Sequence, residues 1–429
     1  MSKRFALVAG LVLPLLVQPA AAQTAPAPLV ARMKALMASP AFAKASASLD
    51  GDWDRILKDL VTLTEIPAPP FKEAERARAY AAMLTAEGLS DVEVDAEGNA
   101  SGLRKGTGGG GPLLLVQAHL DTVFPEGTDT HVKQAGTRLS APGIGDDTSG
   151  LAVLLALVRA LDRAGIRTRQ DILFAGNVGE EGPGDLRGTR YFFTRSRYKD
   201  RIGQFISIEP GRGGITTGGV GSKRYKVTFH GPGGHSYGNF GIVNPAYAMA
   251  GAITRFSEMQ VPASPKTTFN VGIVEGGTSV NSVPHDVAMT IDMRSESKAE
   301  LDKEDAYLKA ILQPAVDAEN KARSTSRGAI SVTMQSIGER PVGQTPRDSM
   351  IVQVATAAMN AVGVTPQYGA GSSDSNIPMS LGIPAVTLGS GFPTGGNHAL
   401  DEWVEVDKPG TMRELQVDLA TIITLANAR

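Results

Sequence analysis

Over much of this chain the apolar positions come in unbroken blocks rather than in alternation. "LLLVQAHL" (113–120), "DILFAGNV" (171–178) and "FISIE" (205–209) are apolar runs of strand length, as expected of strands buried on both faces. Between the first two lies "SGLAVLLALVRALDRAG" (149–165), which is too long for a strand and stops at a glycine, so it predicts a helix. Strands alternating with helices imply an α/β layer around a largely parallel sheet. Helical patterns also cover 29–45, 53–64 and 72–87.

The pattern changes near Gly218. "KRYKVTFHG" and "HDVAMTIDMR" alternate apolar and polar, as half-exposed strands do. A helix over 245–258 lies between them; a long polar helix over 297–322 and the strand "AISVTMQSIG" follow. From "ERPVG" the core pattern resumes, with a helix over 348–362, the strand "AVTLG" and a closing helix over 409–427. The expected organisation is therefore a leader (1–22), an α/β body in two parts (23–217 and 341–429) and a smaller α+β insertion (218–340) with one wet sheet face. "GTGGGGP" (106–112) lacks the Lys-Ser/Thr of a phosphate loop and predicts a flexible hairpin.

Composition adds three constraints. Lys3 and Arg4, the uncharged run 5–17 and the small residues Ala20 and Ala22 before Gln23 read as a secretory signal peptide; the run is too short to span a bilayer. With that leader cut, no membrane anchor is expected, and a periplasmic or secreted location follows. The chain has no Cys, so a metal would have to be held by His, Asp and Glu. The formal net charge is −2 without a basic stripe, which argues against nucleic acid as a partner.

The acids then become informative. His119 and Asp121 stand two apart at a strand end, so both point one way, with Asp121 placed to orient the imidazole. Asp146 and Asp147 sit in a glycine-rich turn before the strong helix; Asp146 is the candidate ligand and Asp147 a candidate helix cap. Glu180 and Glu181 follow another strand, Glu209 ends a third, and His398 lies in the loop after "AVTLG". Carboxyl ends of strands are where open α/β sheets gather ligands. So many carboxylates on one rim would repel one another unless divalent cations neutralised them. Two histidines and three carboxylates suit a pair of cations about 3.5–4 Å apart. One glutamate of the pair would then bind metal, and the other would act as general base.

In these pieces, and in "GPGGHSYG", "GGTSVNSVP" and "IDMRS", the chain resembles the co-catalytic zinc exopeptidases that include glutamate carboxypeptidase, peptidase T, succinyl-diaminopimelate desuccinylase and aminoacylase. The resemblance implies a mostly parallel zinc-exopeptidase sheet flanked by helices, interrupted by a ferredoxin-like α+β lid that also dimerises. It implies two divalent ions, with zinc weakly favoured by ligand type. His119 and Glu209 would hold one, Glu181 and His398 the other, and Asp146 would bridge them. Glu180 would be the general base and Asp121 the orienter of His119. His235 would stabilise the oxyanion, while Asn281 and Arg294 would bind substrate, His235 and Asn281 reaching the partner subunit of a homodimer. The implied reaction is hydrolysis of a peptide or related amide bond by a water activated between the ions. Substrates would be short peptides or N-acyl amino acids. Thr148 stands where close relatives often have Lys, which leaves the particular substrate open. The alternatives are an N-acyl amino acid deacylase, a related aminopeptidase family lacking the insertion, and a periplasmic binding protein without chemistry. The long separation of Glu209 from His398 favours the inserted form, and a spare glutamate favours catalysis.

Overall fold

A computed structural model describes residues 24–427. The expected leader, 1–22, and its cut at Gln23 lie outside the described residues. Among the described residues, no helix is long and apolar enough to cross a membrane.

The apolar blocks form the middle of a nine-stranded mixed sheet. Its central order is Ile172–Asn177, Leu113–His119, Ile202–Glu209, Ala385–Gly389, with each neighbouring pair parallel. Antiparallel strands Ala100–Arg104 and Ser90–Val94 extend one edge. Gly214–Gly219, with Gly343–Gln344 and Gln367–Gly371 paired to it, extends the other. Three of the central strands are buried throughout and Ile202–Glu209 over Phe205–Ile208, which is why their sequences carry no alternation. The helix Thr148–Arg163 packs against the sheet, and 14 of its 16 residues are buried.

Two expectations need correction. The helical pattern over 29–45 is two helices, Ala27–Met37 and Pro40–Gly51. Pro40 has no N–H to continue the first, and Ser39 Oγ accepts the Phe42 N–H at 3.3 Å to open the second. The glycine-rich run 106–112 makes no hairpin. The strands it joins do not pair with each other; both pair with Ile172–Asn177, which lies between them.

The chain leaves this sheet after Gly219 and returns at Gly343, and those two residues pair directly. Between them, Gly221–His230, Thr267–Gly276, Asp286–Ser295 and Ser331–Arg340 form a four-stranded antiparallel sheet. With helices Pro245–Ser257 and Lys298–Ala322 the order is β-α-β-β-α-β, the ferredoxin-like arrangement. Val227, Phe229, Val287, Met289, Ile291 and Met293 bury one face under the two helices, in an apolar cluster of their own. The opposite face carries Arg224, Asp292 and Arg294. Asn376, itself fully buried, ties the two connecting segments together by donating to Val220 O and Pro341 O, both at 2.8 Å.

Candidate metal centre

Most of the acids and imidazoles singled out above sit at, or beyond, the carboxyl end of a central strand, while Asp146 and Asp147 stand at the start of the helix Thr148–Arg163. His119 ends Leu113–His119 and Glu209 ends Ile202–Glu209. Glu180 and Glu181 follow Ile172–Asn177, and His398 lies in the loop beyond Ala385–Gly389. Parallel strands thus bring together residues that the sequence scatters over some 280 positions.

Asp146 is the centre of the group. Its Oδ1 lies 2.9 Å from His119 Nε2, and its Oδ2 lies 3.3 Å from His398 Nε2. His119 Nε2 is also 3.9 Å from Glu209 Oε2, and His398 Nε2 is 3.0 Å from Glu181 Oε1. One carboxylate therefore faces two imidazoles, each with a further carboxylate beside it. Asp147 is spent elsewhere: its Oδ1 accepts the Gly150 N–H as the helix cap, and its Oδ2 accepts the His119 N–H. Although Asp147 lies within coordination range of His119 and Glu209, both of its oxygens are thus occupied.

Asp121 does a different job from the one expected. His119 Nδ1 donates to the main-chain carbonyl of Asp121 at 2.9 Å, while the nearest carboxylate oxygen is 3.8 Å away. That bond still fixes the tautomer and leaves the Nε2 lone pair for a metal. The Asp121 carboxylate instead accepts the N–H groups of Glu180 (3.1 Å) and Glu181 (2.7 Å), so it holds the paired glutamates in place. Beneath it, the fully buried Arg76 donates to the carbonyls of Ile66, Leu120 and Thr64.

The electrostatics are those of a site short of positive charge. Burial pushes Glu209 well above the usual carboxylate range, and Asp147 and Glu180 add to it. Burial would lower His119, but the hydrogen bond to Asp146 and the charge of Glu209 outweigh it and carry the imidazole well above its ordinary value. Hydrogen bonds to Asp146 and Glu181 push His398 up to about 10. Burial lifts Glu180 to about 8, although Arg340 opposes the rise. Protons are being drawn into a cluster of buried carboxylates, and divalent cations would relieve the same excess. His119, Asp146, Glu181, Glu209 and His398 are oxygen and nitrogen donors of the kind zinc-like ions accept, so the residues present fit such ions.

The centre opens into a cleft of about 470 Å³ whose far wall is the inserted sheet. Arg294 lines it, with its Nε on Asp292 at 2.7 Å. His235 and Asn281 do not line it. They sit exposed on a small ribbon, Gly234–His235 against Ser282–Val283, where Ser236 N–H donates to Asn281 O. Sequence reading missed Arg224 and Arg340, which also line the cleft, and Glu402, which accepts the N–H groups of Gly143, Gly145 and Asp146. For Glu402 a signal existed: an acid four residues after His398 in "HALDEW". Arg340 stands in "ERPVG", which reads only as a return to the core.

A parallel sheet whose strand ends converge buried His, Asp and Glu on one cleft defines a metal-dependent hydrolase. Residues 115–420 match Peptidase family M20/M25/M40, and the chain belongs to that family. Among curated proteins it is 24% identical over 356 residues to the uncharacterized protein YqjE of Bacillus subtilis (strain 168), covering 79% of this chain and 90% of that one. It is 25% identical over 198 residues to carboxypeptidase G2 of Pseudomonas sp. (strain RS-16), covering 46% and 47%. Among solved structures, a Staphylococcus aureus tripeptidase superposes with a TM-score of 0.71 at 21% identity, covering 88% of this chain and 99% of that one. The aminopeptidase PepT of Bacillus cereus gives 0.67 at 22%, covering 87% and 99%. These likenesses carry the fold, and the family match carries the assignment as a metal-dependent peptidase or amidohydrolase.

Proposed function

We propose that this protein is an exported exopeptidase that hydrolyses a peptide or related amide bond of short peptides with two divalent ions, zinc being the favoured pair. The observation that carries this reading is Asp146, with one oxygen toward His119 and the other toward His398. His119 and Glu209 with Asp146 would hold one ion; His398 and Glu181 with Asp146 would hold the other. Bound there, the ions supply Lewis-acid polarisation of the scissile carbonyl and acidify a water. Glu180 takes the proton from the attacking water and delivers it to the leaving amine. Arg294, on the far wall, takes a carboxylate of the substrate.

Export rests on the leader pattern of residues 1–22. A homodimer is supported by Tyr237, Phe240 and Val280, apolar side chains left almost fully exposed around the ribbon that carries His235 and Asn281. In that dimer His235 and Asn281 of one subunit serve the cleft of the other, His235 as oxyanion donor.

The reading is tested by Glu180→Gln. The variant should bind two ions per chain and lose turnover by about 10²–10⁴-fold, the usual worth of a general base. Turnover at the wild-type rate would remove Glu180 from the chemistry.

A further inference from the structure

We infer that Arg340 is a positioning residue for Glu180, so that the last strand of the inserted sheet sets the aim of the base; this rests on the reading of Glu180 as general base. Arg340 ends the strand Ser331–Arg340 and is only 4% exposed. Its Nη1 lies 3.0 Å from Glu180 Oε1, and its Nη2 donates to the Glu180 main-chain carbonyl. Nη1 is also 3.3 Å from Ser372 O and 3.2 Å from Ser372 Oγ. One guanidinium thus grips both the side chain and the backbone of a single residue, a grip that suits a planar fork and not an ammonium.

The rest of Glu180 is arranged to match. Its N–H is held by Asp121 at 3.1 Å. With Oε1 on Arg340, Oε2 makes no hydrogen bond among the described residues and is left to take the proton. The guanidinium itself is not free to wander. The neighbouring Glu339 N–H donates to Asp185 Oδ1 at 2.9 Å, and Arg190 donates to Glu339 O, so the strand end is sewn to the loop that carries Glu180. Asn376 fixes the next residue, Pro341, through its carbonyl.

An arginine in a cleft invites another role, that of grasping a substrate carboxylate. Arg340 is already committed, and two better candidates face it. Arg224 and Arg294 both dock their Nε on Asp292, at 2.9 and 2.7 Å. Apart from one contact of Arg224 Nη1 with Gly182 O at 3.2 Å, their terminal Nη groups have no partner among the described residues. The two roles separate in kinetics. A displaced base lowers kcat, whereas a lost carboxylate contact raises KM.

The experiment uses the full dizinc protein and a panel of dipeptides and N-acetyl amino acids, scored on the member that wild type cleaves fastest. Arg340→Gln should lower kcat about 10²-fold, the effect of misplacing a reacting group by about 1 Å, with KM within about threefold and two zinc ions retained. Arg340→Lys should fall between, and it carries the test if the glutamine variant fails to fold. In a Glu180→Gln background, Arg340→Lys should cost no more than twofold further. A rise in KM at unchanged kcat, or an undiminished loss in that background, overturns the inference. If Glu180→Gln alone turns over like wild type, the base reading fails and takes this inference with it. If that variant is crippled while Arg340 variants are not, only this inference fails.

Discussion

Glu402 Oε1 accepts the backbone N–H of Asp146 at 2.8 Å, although the two residues are 256 positions apart. The same carboxylate takes Gly145 N–H at 2.7 Å and Gly143 N–H at 3.1 Å. The loop that supplies His398 thus also shapes the turn that supplies Asp146. Glu402→Ala should weaken zinc binding about 10–100-fold, as loss of an outer-shell partner does, with the helical content unchanged. Competitive zinc titration against a chromophoric chelator reads this directly. An unchanged affinity would mean that the turn holds its shape without Glu402.

Arg76 makes the corresponding prediction for the fold beneath the site. It is fully buried and feeds three carbonyls, with the charge of Asp121 acting on it. Arg76→Met would orphan those three buried carbonyls. The expected cost is about 3–5 kcal/mol of unfolding free energy, at roughly 1–3 kcal/mol for each buried carbonyl left unpaired, measured by urea titration. A loss under about 1 kcal/mol would show that water or neighbours replace the guanidinium.

Asp418 predicts a pH dependence. It is buried within the closing helix Lys408–Ala426, and neither carboxylate oxygen has a hydrogen-bond partner among the described residues. Burial, reinforced by Glu414, pushes its carboxyl well above the ordinary value. A raised acid stabilises the fold fully below its unfolded pKa of about 3.9, and that stability drains away as pH rises. Asp418→Asn stays uncharged, so its Tm should exceed wild type at pH 9 and the gap should shrink toward pH 5. Equal Tm values across that range would show that the Asp418 charge is compensated.

The exposed ribbon gives a test of assembly. Val280→Asp should shift the protein from dimer to monomer in sedimentation at micromolar concentration and lower turnover if His235 serves the partner's cleft. A wild-type protein that sediments as a monomer while fully active would remove the dimer from the reading.

How much of this was legible beforehand depended on the range of the interaction. The central strands and the helix Thr148–Arg163 announce themselves because burial on both faces leaves long apolar runs. The ligand candidates could be read because each stands at the end of such a run. Pro40 breaks a pattern that hydrophobic spacing alone joins, and the break was written in the sequence by the Ser-Pro pair. Arg340 and Arg76 carry no local mark, and Glu402 has only its spacing of four residues from His398. Arg340 meets Glu180 across 160 positions and Glu402 meets Asp146 across 256, while Arg76 joins Leu120, 44 positions away, to the nearer Ile66 and Thr64. The Asp121 carboxylate was misjudged for a related reason: its spacing from His119 is right for a hydrogen bond, but the backbone carbonyl takes that bond first.

Gly219 and Gly343 lie side by side in one ladder, so the excursion of the chain through the four-stranded sheet begins and ends at a single spot. Contacts within the larger sheet across that gap are distant in sequence but close in space. A shortened chain in which a brief turn joins those two glycines should therefore still assemble the larger sheet, with the five proposed ligands in place and Glu180 without Arg340.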